Sequence, residues 1–167
     1  MLRADPTREH LDVAAAASMF DAIPPRPGSP VWTDEVRAAR STWRRRAGEL
    51  APVAPAPVHA DPHAWNHVVE GGRPYVVDWN EIDLSDPRRD AGVRLWWHVP
   101  AGRWPGFVAA LGGRPDRSLR TRILWWAAFK ALRNAFWIDA RGDRPGAAAS
   151  ARGFVAAVAA LSGRRDG

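Results

Sequence analysis

The chain has 167 residues, about one domain's worth and enough for a sizeable hydrophobic core. Apolar residues at 46% and charged residues at 25% are ordinary for a globular protein, and 14 glycines with 15 prolines fall short of a disordered composition. With no cysteine, disulfide frameworks, thiolate zinc sites and cysteine nucleophiles are excluded, and the net charge of +6 rests almost wholly on arginine, Lys130 being the sole lysine.

The opening residues MLRADPTREH lack an apolar signal core, so a cytoplasmic protein is expected. Asp5-Pro6 is a helix start, and Leu11, Ala15, Met19 and Ile23 follow at helical spacing as far as Pro24-Pro25. Thr33 then caps a second helix whose apolar stripe is Val36, Ala39, Trp43, Ala47 and Leu50. Its Arg44-Arg45-Arg46 run reads as a solvated face rather than a nucleic-acid contact. APVAPAP delivers an extended chain into an acidic island between Asp61 and Asp90, where seven acids meet three arginines.

Within the island, His67-Val68-Val69 and Tyr75-Val76-Val77 flank Glu70-Gly71-Gly72 as a small hairpin. Asp86-Pro87 opens a helix through about His98, and helices over 104–111, 115–140 and 145–161 complete the chain. The apolar stretch from Ile123 to Ile138 is interrupted by Lys130, Arg133 and Asn134 and is too short for a span, so it reads as a buried helix and no membrane partner is expected. His10 and His98 read as helix-surface residues. Most of the ten tryptophans, among them the adjacent pairs Trp96-Trp97 and Trp125-Trp126, read as core.

The chemistry concentrates in His59-Ala60-Asp61-Pro62-His63-Ala64-Trp65-Asn66 and in Asp78-Trp79. A tight hairpin brings its outer ends together, so Asn66 and Asp78 can face one another. That is two hard oxygen ligands suited to Mg²⁺, which completes its octahedron with phosphates and water. Asp61 then remains free to accept a proton from a substrate hydroxyl.

HADPHAWN resembles the H-G-D-x-H-x-x-N loop of the aminoglycoside phosphotransferase/choline kinase family. Asp78-Trp79 resembles that family's metal-binding D-W, and Asp86-Pro87-Arg88-Arg89-Asp90 its following D-P-x-x-D. The resemblance runs in register from about Val58 to Gly92. It implies a protein-kinase-like fold and ATP-dependent phosphorylation of a small-molecule hydroxyl, with ATP and Mg²⁺ as cofactors. Asp61 would be the base and Asn66 and Asp78 the metal and nucleotide-phosphate ligands. His59 would hold the loop, His63 would tune the surroundings of Asp61, and Asp90 would accept backbone N–H groups from behind. Glu81, Asp83 and the acidic island would suit an amine-bearing substrate.

The sequence departs from the family at Ala60, where glycine is usual and alanine is tolerable only at negative φ, and at Trp65, where a small residue is usual. No G-x-G-x-x-G occurs, and the 58 residues before the loop read as helices and proline-rich connectors. The expectation is therefore a mainly α single domain with one hairpin, the helical C-terminal lobe without an N-terminal β lobe. Residues 1–50 are its lead-in helices, 58–92 its catalytic segment and 93–167 its helical subdomain. Alone it should be inactive or weak, needing a partner chain that supplies the missing lobe. Fragment, split enzyme and degenerate relative stay open, as does a non-catalytic interaction module. A zinc site on His59, His63 and His67 is a further alternative.

Overall fold

The computed structural model describes residues 11–110 and 117–163. Six helices account for most of it: α1 Val13–Ser18, α2 Asp34–Ala47, α3 Arg89–His98, α4 Trp104–Ala110, α5 Arg117–Asp139 and α6 Arg144–Leu161. Four short strands, β1 Ala56–Val58, β2 His67–Glu70, β3 Arg73–Val76 and β4 Asp83–Ser85, lie between α2 and α3. The mainly helical fold with a hairpin in its middle is the one expected. Asp5-Pro6, Leu111 and Pro115 lie outside the described residues.

Local chemistry accounts for the element starts. Asp12 caps α1 through a 2.8 Å bond from the Ala15 N–H, and Thr33 caps α2 by accepting the Val36 N–H. Asp143 accepts the Gly146 N–H at the head of α6, where Pro145 occupies a position that needs no donor. At Asp86-Pro87 the expectation is corrected by two residues, since α3 is capped at Arg88 and begins at Arg89. The Asp86 carboxylate does accept the Arg88 N–H, but it is buried and also takes the side chains of Arg122 and Trp126.

The core is built on α5, whose residues from Arg122 to Leu132 are all buried. Trp43 of α2 stacks on Trp125 with centroids 4.7 Å apart, and each indole N–H donates to the other residue's carbonyl at 3.1 and 3.0 Å. Two large apolar rings are thereby buried with their one polar atom satisfied. α6 approaches through Ala147, Ala151 and Ala157, small residues that let the helices pack closely, and inserts the Phe154 ring against Trp43. α3 packs on α5 at Gly92, where a Cβ would stand 2.7 Å from the Ile123 carbonyl oxygen.

The strands form two nested antiparallel ladders. β1 pairs with β4, setting Val58 opposite Asp83, and inside it β2 pairs with β3, setting His67 opposite Val76. Gly71 and Gly72 close the inner hairpin with φ of 56° and 77°, the positive values a tight two-residue turn demands. Every residue from Val68 through Glu81 is exposed, so this hairpin stands off the helical body.

Candidate functional site

The nested ladders fix the loop between β1 and β2 at both ends. Asp90, in the first turn of α3, accepts the backbone N–H groups of His59 at 2.7 Å and Ala60 at 2.9 Å, one on each carboxylate oxygen. The buried His59 ring spans the space between loop and hairpin. Its Nε2 donates to the Val77 carbonyl at 2.8 Å, and its Nδ1 accepts the Asp61 N–H at 3.3 Å. Trp79 lies against that ring with centroids 4.8 Å apart.

Ala60 adopts φ of 66°, the left-handed region, so the condition of negative φ is not met. An alanine there carries strain of about 1–2 kcal/mol that glycine would not, and the loop keeps its shape because Asp90 and His59 over-determine it. Trp65 is 90% exposed and does not fill the site.

Asp61 emerges from this loop partly exposed. Its Oδ1 lies 2.7 Å from Lys130 Nζ and 3.1 Å from His63 Nε2. Burial alone would raise the Asp61 carboxyl, but the hydrogen bond and charge of Lys130, with His63 and Arg133 beyond, hold it below the usual carboxylate range. Burial pushes His63 down, against the pull of Asp61.

Asn66 donates its amide N–H to the Asp61 carbonyl at 2.9 Å, leaving its side-chain oxygen as the acceptor. The Val77 N–H bonds the Asn66 carbonyl at 2.9 Å, so Asp78 follows directly on the residue paired with Asn66. Asp78 has φ of 61° and an exposed carboxylate whose Oδ1 takes the Asn80 amide at 2.6 Å. An amide oxygen and a carboxylate are donors of the kind that fit Mg²⁺, a cation that binds through few protein oxygens.

The histidines do not converge on a metal. Both nitrogens of His59 are engaged, and His67 places Nδ1 2.7 Å from the His63 carbonyl and Nε2 2.7 Å from Arg94. Among the described residues no three His, Asp or Glu side chains are grouped to hold an ion.

Sequence reasoning missed the cations that complete the site. On α5, Arg122, Trp126, Lys130 and Arg133 follow at spacings of four, four and three, one face of one helix. Arg122 and Trp126 hold Asp86, Lys130 holds Asp61, and Arg133 grips Glu81 at 2.8 and 3.1 Å. Burial would raise Glu81, and Arg133 holds it low instead. Asp83 is tied to Arg89 at 2.9 Å. The two acids that suited an amine are thus already paired. The signal that could have found Lys130 was a lone ammonium in an apolar helix, which must have an acidic partner.

Among the described residues no helix is long and apolar enough to cross a membrane. The family model of the phosphotransferase enzyme family matches residues 4–126. A solved structure, a choline/ethanolamine kinase family protein from Mesorhizobium loti, superposes with a TM-score of 0.64 at 25% identity. The match covers 91% of this chain and 53% of that one, so the chain spans about half the length of that relative.

Proposed function

The chain belongs to the phosphotransferase enzyme family, and from that premise we propose that it carries the acceptor and metal side of a kinase-like site that phosphorylates a small-molecule hydroxyl with ATP. The observation that carries this reading is the pinned loop. Asp61 and Asn66 lie on it, joined by the Asn66 amide bond to the Asp61 carbonyl, Asp90 holds it from behind, and His59 ties it to Val77, the residue before Asp78.

In this reading Asp61 accepts the hydroxyl proton as that oxygen bonds to the γ-phosphorus and the bond to the ADP oxygen breaks. The Asn66 side-chain oxygen and the Asp78 carboxylate are the groups that would hold Mg²⁺, which supplies charge neutralisation on the phosphates when bound. His59 keeps both edges of the site in register, and His63 shares the Asp61 oxygen with Lys130. Positioning of the nucleotide supplies much of the rate in this chemistry, so a partner chain carrying a nucleotide-binding lobe would raise turnover.

The test is calorimetry of Mg²⁺–ATP on the purified chain, with Asp78→Ala as control. Binding lost in that variant supports the reading, and no binding in the unaltered chain refutes it for the chain alone. A second reading, a non-catalytic interaction module, is favoured by the exposed run from Val68 to Glu81, which presents Val69, Tyr75, Val76, Val77 and Trp79 to solvent. A stable monomer indifferent to nucleotide would support it.

A further inference from the structure

The proposed chemistry gives Asp61 a proton to accept but does not say which oxygen accepts it. Both partners of its carboxylate converge on Oδ1: Lys130 Nζ at 2.7 Å and His63 Nε2 at 3.1 Å. Among the described residues Oδ2 has no such partner, and the side chain retains 27% of its exposure, so Oδ2 is the oxygen left to face an incoming group. The two partners approach from different sides. His63 belongs to the loop itself, whereas Lys130 rises from α5 with its side chain only 7% exposed.

Two features set Lys130 apart from an ordinary structural ion pair. Burying an ammonium to pair with one carboxylate oxygen stabilises little, and an apolar side chain of the same length would do as well or better. The chain also uses arginine at each of its other 23 cationic positions. A guanidinium presents a planar fork of five donors that engages both oxygens of a carboxylate, as Arg133 does with Glu81. An ammonium is a compact point charge that can hold one oxygen and leave the other open.

We propose that Lys130 is the positioning residue of Asp61, holding Oδ1 from within the core so that Oδ2 is presented to the acceptor hydroxyl. The assignment rests on the phosphotransfer reading above. It also gives the site a fixed positive charge on the protein side of the base, where the approach of phosphate would otherwise meet a bare carboxylate.

The experiment measures the χ1 couplings of Asp61 by NMR in aspartate-labelled protein, assigned with Asp61→Asn, and compares the unaltered chain with Lys130→Met. Methionine keeps the length of the stem and removes the charge, and near-ultraviolet circular dichroism of the Trp43–Trp125 stack reports that the core has formed. The proposal expects one fixed Asp61 rotamer in the unaltered chain and averaging among rotamers in Lys130→Met with the dichroism retained. One unchanged fixed rotamer in a folded variant overturns it.

If Lys130→Met does not fold, the pair is read from its other side. The only lysine gives one side-chain ammonium resonance, protected from solvent exchange while Asp61 holds it. Loss of that protection in Asp61→Asn supports the pairing, and unchanged protection overturns it. Failure of the phosphotransfer reading shows separately, as absence of Mg²⁺–ATP binding with the rotamer change still present.

Discussion

Replacing Asp90 tests what holds the catalytic loop in its unusual shape. The two N–H groups that it receives belong to His59 and Ala60, which are 3% and 2% exposed, so in the intact fold the carboxylate and not bulk water is their acceptor. Hydrogen bonds to a charged acceptor contribute about 1.5–3 kcal/mol each, which gives roughly 3–6 kcal/mol for the pair. Asp90 itself is only partly buried, so water can follow a truncation, and the lower figure, about 3 kcal/mol, is the one expected for Asp90→Ala. Asp90→Asn keeps one acceptor oxygen and should lose about half of that. Urea unfolding followed by near-ultraviolet dichroism gives the difference at constant slope. For a chain of this size each kcal/mol corresponds to about 2–4 °C in Tm. Amide exchange adds a local readout, with the His59 and Ala60 amides exchanging faster in both variants. A loss below about 1 kcal/mol in Asp90→Ala, or protection unchanged at those two amides, would refute the reasoning.

Gly92→Ala should cost about 1–3 kcal/mol, because its Cβ meets the Ile123 carbonyl and the Trp126 Cβ at 2.7 and 2.8 Å; thermal unfolding measures it. Arg122→Met strips the buried Asp86 of its cation and should destabilise by about 3–5 kcal/mol in the same assay, whereas Trp65→Ser, at a side chain 90% exposed, should stay within about 0.5 kcal/mol. His63 sits below its ordinary 6.5 and Asp61 below its ordinary 3.8, so on acidification the unfolded chain takes up each proton first. The contribution of these two groups is therefore complete above 6.5 and is lost in two stages, the first as pH falls below 6.5 and the second, which Glu81 joins from below its ordinary 4.5, as pH falls below 3.8. His63→Gln should shrink the first stage without abolishing it, since burial, aided by Arg94, also pushes His98 down.

The parts of the fold that local chemistry decides were readable from the sequence. Thr33 caps a helix because its oxygen reaches a backbone N–H three residues on, and Gly71-Gly72 closes a hairpin because it tolerates positive φ twice. The closeness of Asn66 to the far end of the hairpin was legible for a similar reason, since a tight hairpin brings its outer ends together and the Val77 N–H bonds the Asn66 carbonyl.

What stayed hidden was contact at long range. Nothing near Lys130 in the sequence names Asp61 as its partner, 69 residues away, and α5 is buried around most of its circumference, so no polar stripe marks the face that meets the site. Glu81 and Asp83 looked free for a ligand because Arg133 and Arg89 reach them only once the helices have packed. The strain at Ala60 was equally unreadable, because alanine alone favours the ordinary region and only its surroundings impose the other.

The stripe on α5 makes that helix a ruler. Successive rungs at Arg122, Trp126, Lys130 and Arg133 lie about 6 Å apart along the axis, or about 4.5 Å for the last; the first two meet at Asp86, the third reaches Asp61 and the fourth Glu81. Deleting a single residue between the first rung and the last swings everything beyond it through about 100°. Lys130 and Arg133 would then face the wrong neighbours while every side chain remained in the sequence. The hairpin tip at Gly71-Gly72 carries no such phase. Changes of chain length should accordingly be tolerated at that tip and excluded from α5 between Arg122 and Arg133, even where composition is preserved.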